Sequence, residues 1–430
     1  MPEIITIQDA HYALELVKTI CTEVGPGLPG SSQERERAGI IKKELESHLG
    51  AENVVVEDFI LAPDAYLSPF PGVLFMILAV LLNISIGRFT GISPWVTSIA
   101  ALVFSILTPL LFILGFMLGY ELTDPLFKKK QSLNVIGRLR KPEDQNVKRL
   151  LILSGHHDSA PENTWLRFLG YGFFFLSLTF FIGLAAMVVM NIIQLTGLII
   201  GNPDIMRMGT LGWVLLVYPI MPAIIYAAFI TRGKKNGGNV PGAMDNLSAC
   251  ALVVAMCRFL AKNPALIPDD TEIRFITFGS EEVGWRGSQR YVERHLNELK
   301  RLDTQVLNYE MIVHPEIIIL TSEMHGTVKN SPEMVKSVVG AAERAGVPYK
   351  VRAAFLGTAS DAGLFSRAGL KATTLNPCKF PQQLVAYYHQ KWDTPEVLTL
   401  EPLLNVLKLT LEWVRCGGEE AIQPVEVTIT

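Results

Sequence analysis

Charge is what this 430-residue chain has little of: Asp, Glu, Lys and Arg make up 18% of it, the net charge is -3 and the mean hydropathy is +0.31. So even a balance excludes a binder that works by a basic surface, such as a nucleic-acid protein. The five cysteines (Cys21, Cys250, Cys257, Cys378 and Cys416) are odd in number, scattered, and contain no C-x-x-C. That excludes a disulfide framework and fits a reducing compartment. Cys250 and Cys257 share one face of an expected helix and read as buried apolar side chains. There is no HExxH, no P-loop and no GxSxG elbow. Gly25-Pro26-Gly27-Leu28-Pro29-Gly30 fits G-x-G-x-x-G in form, but it holds two prolines and follows a helical pattern, so it reads as a turn. The opening Met1-Pro2-Glu3-Ile4-Ile5-Thr6 has no basic region leading into an apolar core and does not read as a secretory signal.

The scarcity of charge is concentrated. Residues 65–87, 89–120, 168–203 and 208–231 contain no Asp, Glu, Lys or Arg. A membrane span needs about 20 apolar residues, and stretches such as Phe173-Phe174-Phe175-Leu176 show no polar face of the kind a core helix carries. Four transmembrane helices are expected, paired as hairpins by turns near Arg88–Pro94 and Gly201–Met208. The domains expected are therefore a discontinuous catalytic domain (1–64, 121–167 and 232–430) and two hairpins, 65–120 and 168–231. Two hairpins leave all the catalytic parts on one side. That side carries Lys128, Lys129, Lys130, Arg167, Lys234 and Lys235 near the membrane ends, against Arg88 and Arg207 in the far loops. The expectation is a multi-pass membrane protein with its catalytic domain on the cytoplasmic side.

Outside the spans, helix and strand patterns alternate. Residues 8–23 and 31–49 read as amphipathic helices, the second opening with a capping-box pattern at Ser31-Ser32-Gln33-Glu34. Strands are expected at Val54–Leu61, Leu133–Arg140, Arg149–Ser154, Ile273–Phe278, Gln305–Asn308, Glu316–Thr321 and Thr373–Leu375. Helices are expected near 246–262, 285–299, 331–345 and 399–415. The fold class is α/β, a three-layer sandwich around a mixed, mostly parallel sheet, with the site at the carboxyl ends of strands.

Five short motifs put His or carboxylate side chains at such ends: Gly155-His156-His157-Asp158-Ser159, Gly242-Ala243-Met244-Asp245-Asn246, Gly279-Ser280-Glu281-Glu282-Val283-Gly284, Leu307-Asn308-Tyr309-Glu310-Met311 and Tyr387-Tyr388-His389. Together they match the ligands of two zinc ions sharing one carboxylate, with a Glu to spare as base. His156 can reach a metal from its strand end. Asp158, two residues on, points the same way and is placed to orient a ligand; His157 alternates away, as a structural or exposed residue. Asp245 alone would read as a helix cap; within the series it reads as the bridging carboxylate. Of Glu281 and Glu282, one can ligate while the other serves as general base. Glu310 suits the first ion and His389 the second. His11, His48, His295, His314 and His325 show no ligand role.

These residues strongly resemble the co-catalytic zinc aminopeptidase family, metallopeptidase family 28, the family of the bacterial leucyl aminopeptidases, aminopeptidase Y and glutamate carboxypeptidase II. Further family-like stretches are Leu133-Asn134-Val135-Ile136-Gly137 and Ser360-Asp361-Ala362-Gly363-Leu364-Phe365. The resemblance implies that His156, Asp245 and Glu310 hold one zinc and that Asp245, Glu282 and His389 hold the other. It makes Glu281 the base and Tyr388 the oxyanion stabiliser, with Asp158 supporting the ligands. Two departures stand out. The family usually has Asp where Glu310 stands, at a position that also helps hold a free amine. It also has about a dozen residues between the first His and the bridging Asp, in line with short loop lengths, where this chain carries two spans.

The implied function is a membrane-bound zinc metallopeptidase, an aminopeptidase that removes N-terminal residues with a water activated by two zinc ions and Glu281 as general base. The alternatives are an amide hydrolase or cyclase acting on a lipid-like or membrane-associated substrate, and a non-catalytic, nicastrin-like receptor or scaffold. The partners expected are a peptide or aminoacyl-amide substrate, membrane-associated ones included, the lipid bilayer and another copy of the chain, but no nucleic acid.

Overall fold

Strand β3 (Arg149–His156) shows how the apolar runs become sheet. Leu151 and Leu153 join one buried apolar cluster, and Leu150 and Ile152 join another. Alternate side chains thus serve opposite faces, and a strand covered on both faces reads as one continuous apolar run. Strand β4 (Thr271–Phe278) splits in the same way, Phe275 to the first cluster and Ile276 to the second.

The computed structural model describes residues 4–67, 70–84, 92–143, 146–213, 215, 240–354 and 358–419. The remaining strands are β1 (Val54–Leu61), β2 (Lys130–Arg140), β5 (Asp303–Tyr309), β6 (Ile317–Leu320), β7 (Ser322–Glu323), β8 (Val328–Lys329), β9 (Tyr349–Arg352) and β10 (Lys371–Leu375). An eight-stranded sheet runs β1-β2-β4-β3-β5-β10-β6-β9, and β7 and β8 form a small ribbon. The centre, β4-β3-β5-β10, is parallel; β1, β2 and the β10–β6 pair are antiparallel. On one face lie α1 (Ile7–Glu23), α2 (Ser32–Leu49) and the helices Ser248–Lys262, Pro332–Ala345 and Leu400–Arg415; on the other lie Arg286–Arg301 and Ala362–Arg367. This is the expected three-layer α/β sandwich.

Local differences from expectation have local causes. The capping box sits at α1, where Thr6 and Asp9 bond reciprocally. At α2 Ser31 caps Glu34 N, but the Glu34 side chain turns inward to Gly30 N, Ser132 Oγ and Ser280 Oγ. The helix expected from 246 starts at Ser248, because Asp245 and Asn246 in the preceding turn have non-helical φ/ψ. The edge strand β9 was not expected; of its four residues only Val351 is buried, so no alternation marks it.

The chain divides into two compact units. One comprises Met1–Pro63, Lys129–Glu162 and Arg232–Thr430 and holds the sheet; the other comprises Asp64–Lys128 and Asn163–Thr231. The second unit is larger than the expected hairpins: it takes in 121–128 and also the short helix Thr164–Leu169. It contains the helices Phe70–Ile84, Pro94–Leu111, which continues as a wider turn through Met117, and Gly172–Ile199, with further helical backbone over 203–213. The last part of the expected fourth span lies outside the described residues, as do Arg88, Lys234 and Lys235.

Among its described residues, the second unit exposes large apolar side chains and buries both an apolar cluster (Met76, Ala79, Met187 and Trp213) and a group of polar side chains. Leu81, Val96, Phe175 and Leu178 are exposed, while Asn83 Nδ2 donates to Asn191 Oδ1 and Asn191 Nδ2 donates to Ser105 Oγ at 2.6 Å in its interior. Polar side chains bonded to one another inside a unit with an apolar exterior are a packing pattern found between helices in lipid. Pro63–Asn83, Pro94–Met117 and Gly172–Ile199 are long and apolar enough to cross a membrane and are only 21%, 17% and 17% buried. Ala243–Lys262 passes the same test of length and composition but is 94% buried; it is a core helix of the sheet unit.

Candidate metal centre

The parallel strands β3, β4 and β5 end side by side, and the residues that follow them converge. His156 is the last residue of β3 and Glu310 directly follows β5. The Glu281–Val283 turn follows β4. Asp245 comes from the turn before the helix Ser248–Lys262, and His389 from the loop after the helix Gln382–Tyr387.

His156 Nε2 is 3.3 Å from Asp245 Oδ1 and 3.4 Å from Glu310 Oε1. His389 Nε2 is 3.4 Å from Asp245 Oδ2 and 3.0 Å from Glu282 Oε2. Three groups have their ligand atoms within 4.8 Å of one another: His156–Asp245–Glu310 and Asp245–Glu282–His389, which share Asp245, and His156–Glu281–Glu282. Asp245 Oδ2, Glu282 Oε1, Glu310 Oε2 and His389 Nε2 are buried without a hydrogen-bond partner. Ligands about 2.0–2.1 Å from a tetrahedral ion stand roughly 3.3 Å apart. The residues present therefore fit a pair of ions, and a cation in each of the two groups sharing Asp245 would satisfy the orphaned atoms. The His and carboxylate donor set suits zinc. Glu281 Oε2 lies farther from His156 Nε2, at 3.8 Å.

The electrostatics describe a site waiting for positive charge. Burial pushes the Glu310 carboxyl up to about 8 and holds Glu281 well above its ordinary range. Burial also opposes charge on His389, but Glu282 and Asp245 outweigh it and push the imidazole up to about 10. Burial opposes the Asp245 carboxylate as well, yet the adjacent His156 and His389 imidazoles hold its carboxyl below the usual range.

Around the ligands, fully buried Asp158 accepts from Glu281 N at 3.0 Å and Glu282 N at 3.1 Å, and stands 3.4 Å from His156 Nδ1. One carboxylate thus fixes the Glu–Glu turn and faces the imidazole. His157 is fully buried, and burial pushes its imidazole down to about 4, so it stays neutral. The Tyr388 ring stacks on the His389 ring at 3.6 Å between centroids. Ser280, Met311 and His389 all hold positive φ (54°, 48° and 52°) at or beside ligand positions. Such backbone is strained for residues other than Gly and persists where the surroundings impose it.

Further residues surround the ligand positions: Asp393, outside the sequence motifs, and Asn246 and Asp361, which the motifs include without a role. Asp393 accepts from Met244 N at 2.7 Å and Asp245 N at 3.1 Å. Asn246 donates to Tyr309 O at 3.0 Å and accepts from Met311 N at 3.3 Å, gripping the backbone on either side of Glu310. Asp361 is fully buried, and burial pushes its carboxyl up to about 7. Asp393 and Asn246 act on main-chain groups, which no spacing in a sequence displays; their one signal was closeness to His389 and Asp245.

The sequence profile of peptidase family M28 matches residues 230–414. A stretch of 90 residues is 39% identical to aminopeptidase YwaD of Bacillus subtilis (strain 168), covering 21% of this chain and 18% of that protein. The chain superposes on BSAP, a zinc aminopeptidase from Bacillus subtilis, with a TM-score of 0.53 and 15% identity over 94% of each chain. It superposes equally on an Acidobacteriales bacterium glutaminyl cyclase, with a TM-score of 0.53 and 13% identity over 95% of this chain and 94% of that one. At these identities the structural likeness is one of fold. Residues 230–414 thus resemble peptidase family M28, and the candidate site geometry agrees with that resemblance. His156 lies outside the profile match, on the far side of the second insertion, and it is the fold that brings it to Asp245.

Proposed function

We propose that this protein is a membrane-embedded zinc aminopeptidase that hydrolyses N-terminal residues from peptides. The observation that carries the reading is the pair of ligand groups sharing Asp245; Glu281 belongs to neither, although it groups with His156 and Glu282, and its oxygen stands farther from His156 Nε2, at 3.8 Å. His156, Asp245 and Glu310 would hold one zinc; Asp245, Glu282 and His389 would hold the other. Bound there, zinc supplies Lewis acidity toward the scissile carbonyl and toward a water. Glu281 takes a proton from that water as its oxygen adds to the carbonyl carbon. It returns the proton to the departing amine nitrogen as the C–N bond breaks. Burial raises its carboxyl, as a group that must hold a proton between two steps requires. Tyr388, whose ring stacks on His389, would donate to the oxygen that gains charge. The test is hydrolysis of an aminoacyl amide by the zinc-loaded full chain, with N-terminally blocked peptides as controls.

The apolar exterior of the second unit and the polar bonds buried within it support its placement in a bilayer. The basic residues Lys128, Lys129, Lys130, Arg138 and Arg140 support a cytoplasmic catalytic domain. One specific observation favours a second reading: Glu310 stands where the family usually has Asp, and the fold matches a glutaminyl cyclase as well as an aminopeptidase. Cyclisation of an N-terminal glutamine, or hydrolysis of a lipid-like amide, would use the same site. The retained ligands weigh against a non-catalytic scaffold.

A further inference from the structure

Arg37, on α2, is fully buried, and among the described residues all its hydrogen bonds go to main-chain carbonyls. Nε and Nη2 donate to Gly25 O, Nη2 also to Pro241 O at 2.6 Å, and Nη1 to His157 O at 3.2 Å. His157 lies between His156 and Asp158, and Pro241 stands four residues before Asp245. Between these two carbonyls the chain leaves the sheet unit, builds residues 163–231 elsewhere, and returns. One guanidinium thus joins the exit and the re-entry of the second insertion.

The surroundings are built for this side chain. A Cβ on Gly27 would fall 2.8 Å from Arg37 Cδ, so only glycine leaves room. Ser159 N donates to Gly27 O at 2.8 Å and Gly27 N donates to Ser159 Oγ at 3.0 Å, tying the exit segment to the same loop. Gly242, at the re-entry, has φ of 69°, and a Cβ there would lie 2.9 Å from Ser159 Cβ. The Gly-Pro-Gly turn at 25–27 is thereby given a purpose that a dinucleotide motif would not explain.

We infer that Arg37 is a positioning residue that closes the neck of the second insertion and keeps His156 in register with Asp245. The inference rests on the reading of His156, Asp245 and Glu310 as one ion site. A long insertion between two ligands of one ion lets their separation vary, and a planar fork bonded to both segments removes that freedom. A lysine in the same place would keep the positive charge but not the fork.

The test compares wild type, Arg37→Lys and Gly27→Ala as full chains in lipid nanodiscs, with Arg274→Lys as control. Arg274 is a second fully buried arginine, paired with Glu272 and Glu298 away from the neck. Zinc affinity is read by competition with a chelator, and amide hydrogen exchange is read on the metal-free proteins. The expected result for Arg37→Lys is a loss of about 10–100-fold in affinity for the ion held with His156, as for other residues that orient ligands. The ion held by Glu282 and His389 should change far less. In both neck variants exchange should rise across 155–161 and 241–245 but not across Pro332–Ala345, and Arg274→Lys should produce neither change. Wild-type affinity and exchange in Arg37→Lys would overturn the inference, as would a rise of equal size in Pro332–Ala345. If no variant, wild type included, binds zinc, the metal reading fails, while the exchange comparison still decides the role of Arg37.

Discussion

Asp393 accepts a 3.1 Å hydrogen bond from the backbone amide of Asp245, and its other oxygen accepts from the neighbouring Met244 amide. Asp393 lies four residues after His389, so this carboxylate fastens the loop of one ligand to the backbone of the ligand shared by both groups. Asp393→Asn places an amide donor against a backbone donor and breaks one of the two bonds. Zinc affinity should fall by about 10–100-fold, as when other ligand-orienting residues are changed. A chelator titration that matches wild type would remove Asp393 from this role.

Glu281→Gln separates chemistry from metal binding. The side chain keeps its shape and loses the ability to take a proton. Bound zinc should be unchanged while kcat falls by about 10²–10⁴-fold, the usual worth of a general base. Near-normal turnover would assign the base elsewhere.

The fold was legible in the sequence wherever burial was one-sided or complete. The bounds expected for β1 match those observed, because Val54, Phe59 and Leu61 are buried in a pattern a reader can follow. Strands β3 and β4 were legible as apolar runs since both of their faces are covered. The candidate ligands could be read because each closes such a run or stands beside a glycine turn. What escaped was the support: Arg37 and Asp393 bond to carbonyls and amides that carry no side-chain identity. Glu34 showed a familiar surface pattern, and only the fold reveals that it faces inward to Ser132 and Ser280.

The metal-free protein should lose stability as pH rises from about 5 to 8. Burial pushes the carboxyls of Glu34 to about 8 and Glu323 to about 7, well above the ordinary range of a glutamate. A group whose folded pKa is raised favours the folded state fully below its unfolded pKa, and that contribution is lost as pH climbs through the folded value. Thermal melts should show Tm falling across that window, with a flatter slope in Glu34→Gln. A Tm that rises steadily over the same range would contradict these assignments.

Topology can be checked without activity. In a background with Cys21 and Cys416 replaced by serine, Asn202→Cys should react with an impermeant thiol reagent added outside the cell. Ser47→Cys, exposed on α2, should not react. The reverse pattern would place the catalytic domain outside.

The most direct test of the account is the number of zinc ions held by the purified full chain. The account predicts two per wild-type chain, one in His156→Ala and none in Asp245→Ala, because Asp245 belongs to both ligand groups. Asp245→Ala that still holds two ions, or a folded wild-type chain that takes up none when zinc is added, would contradict it.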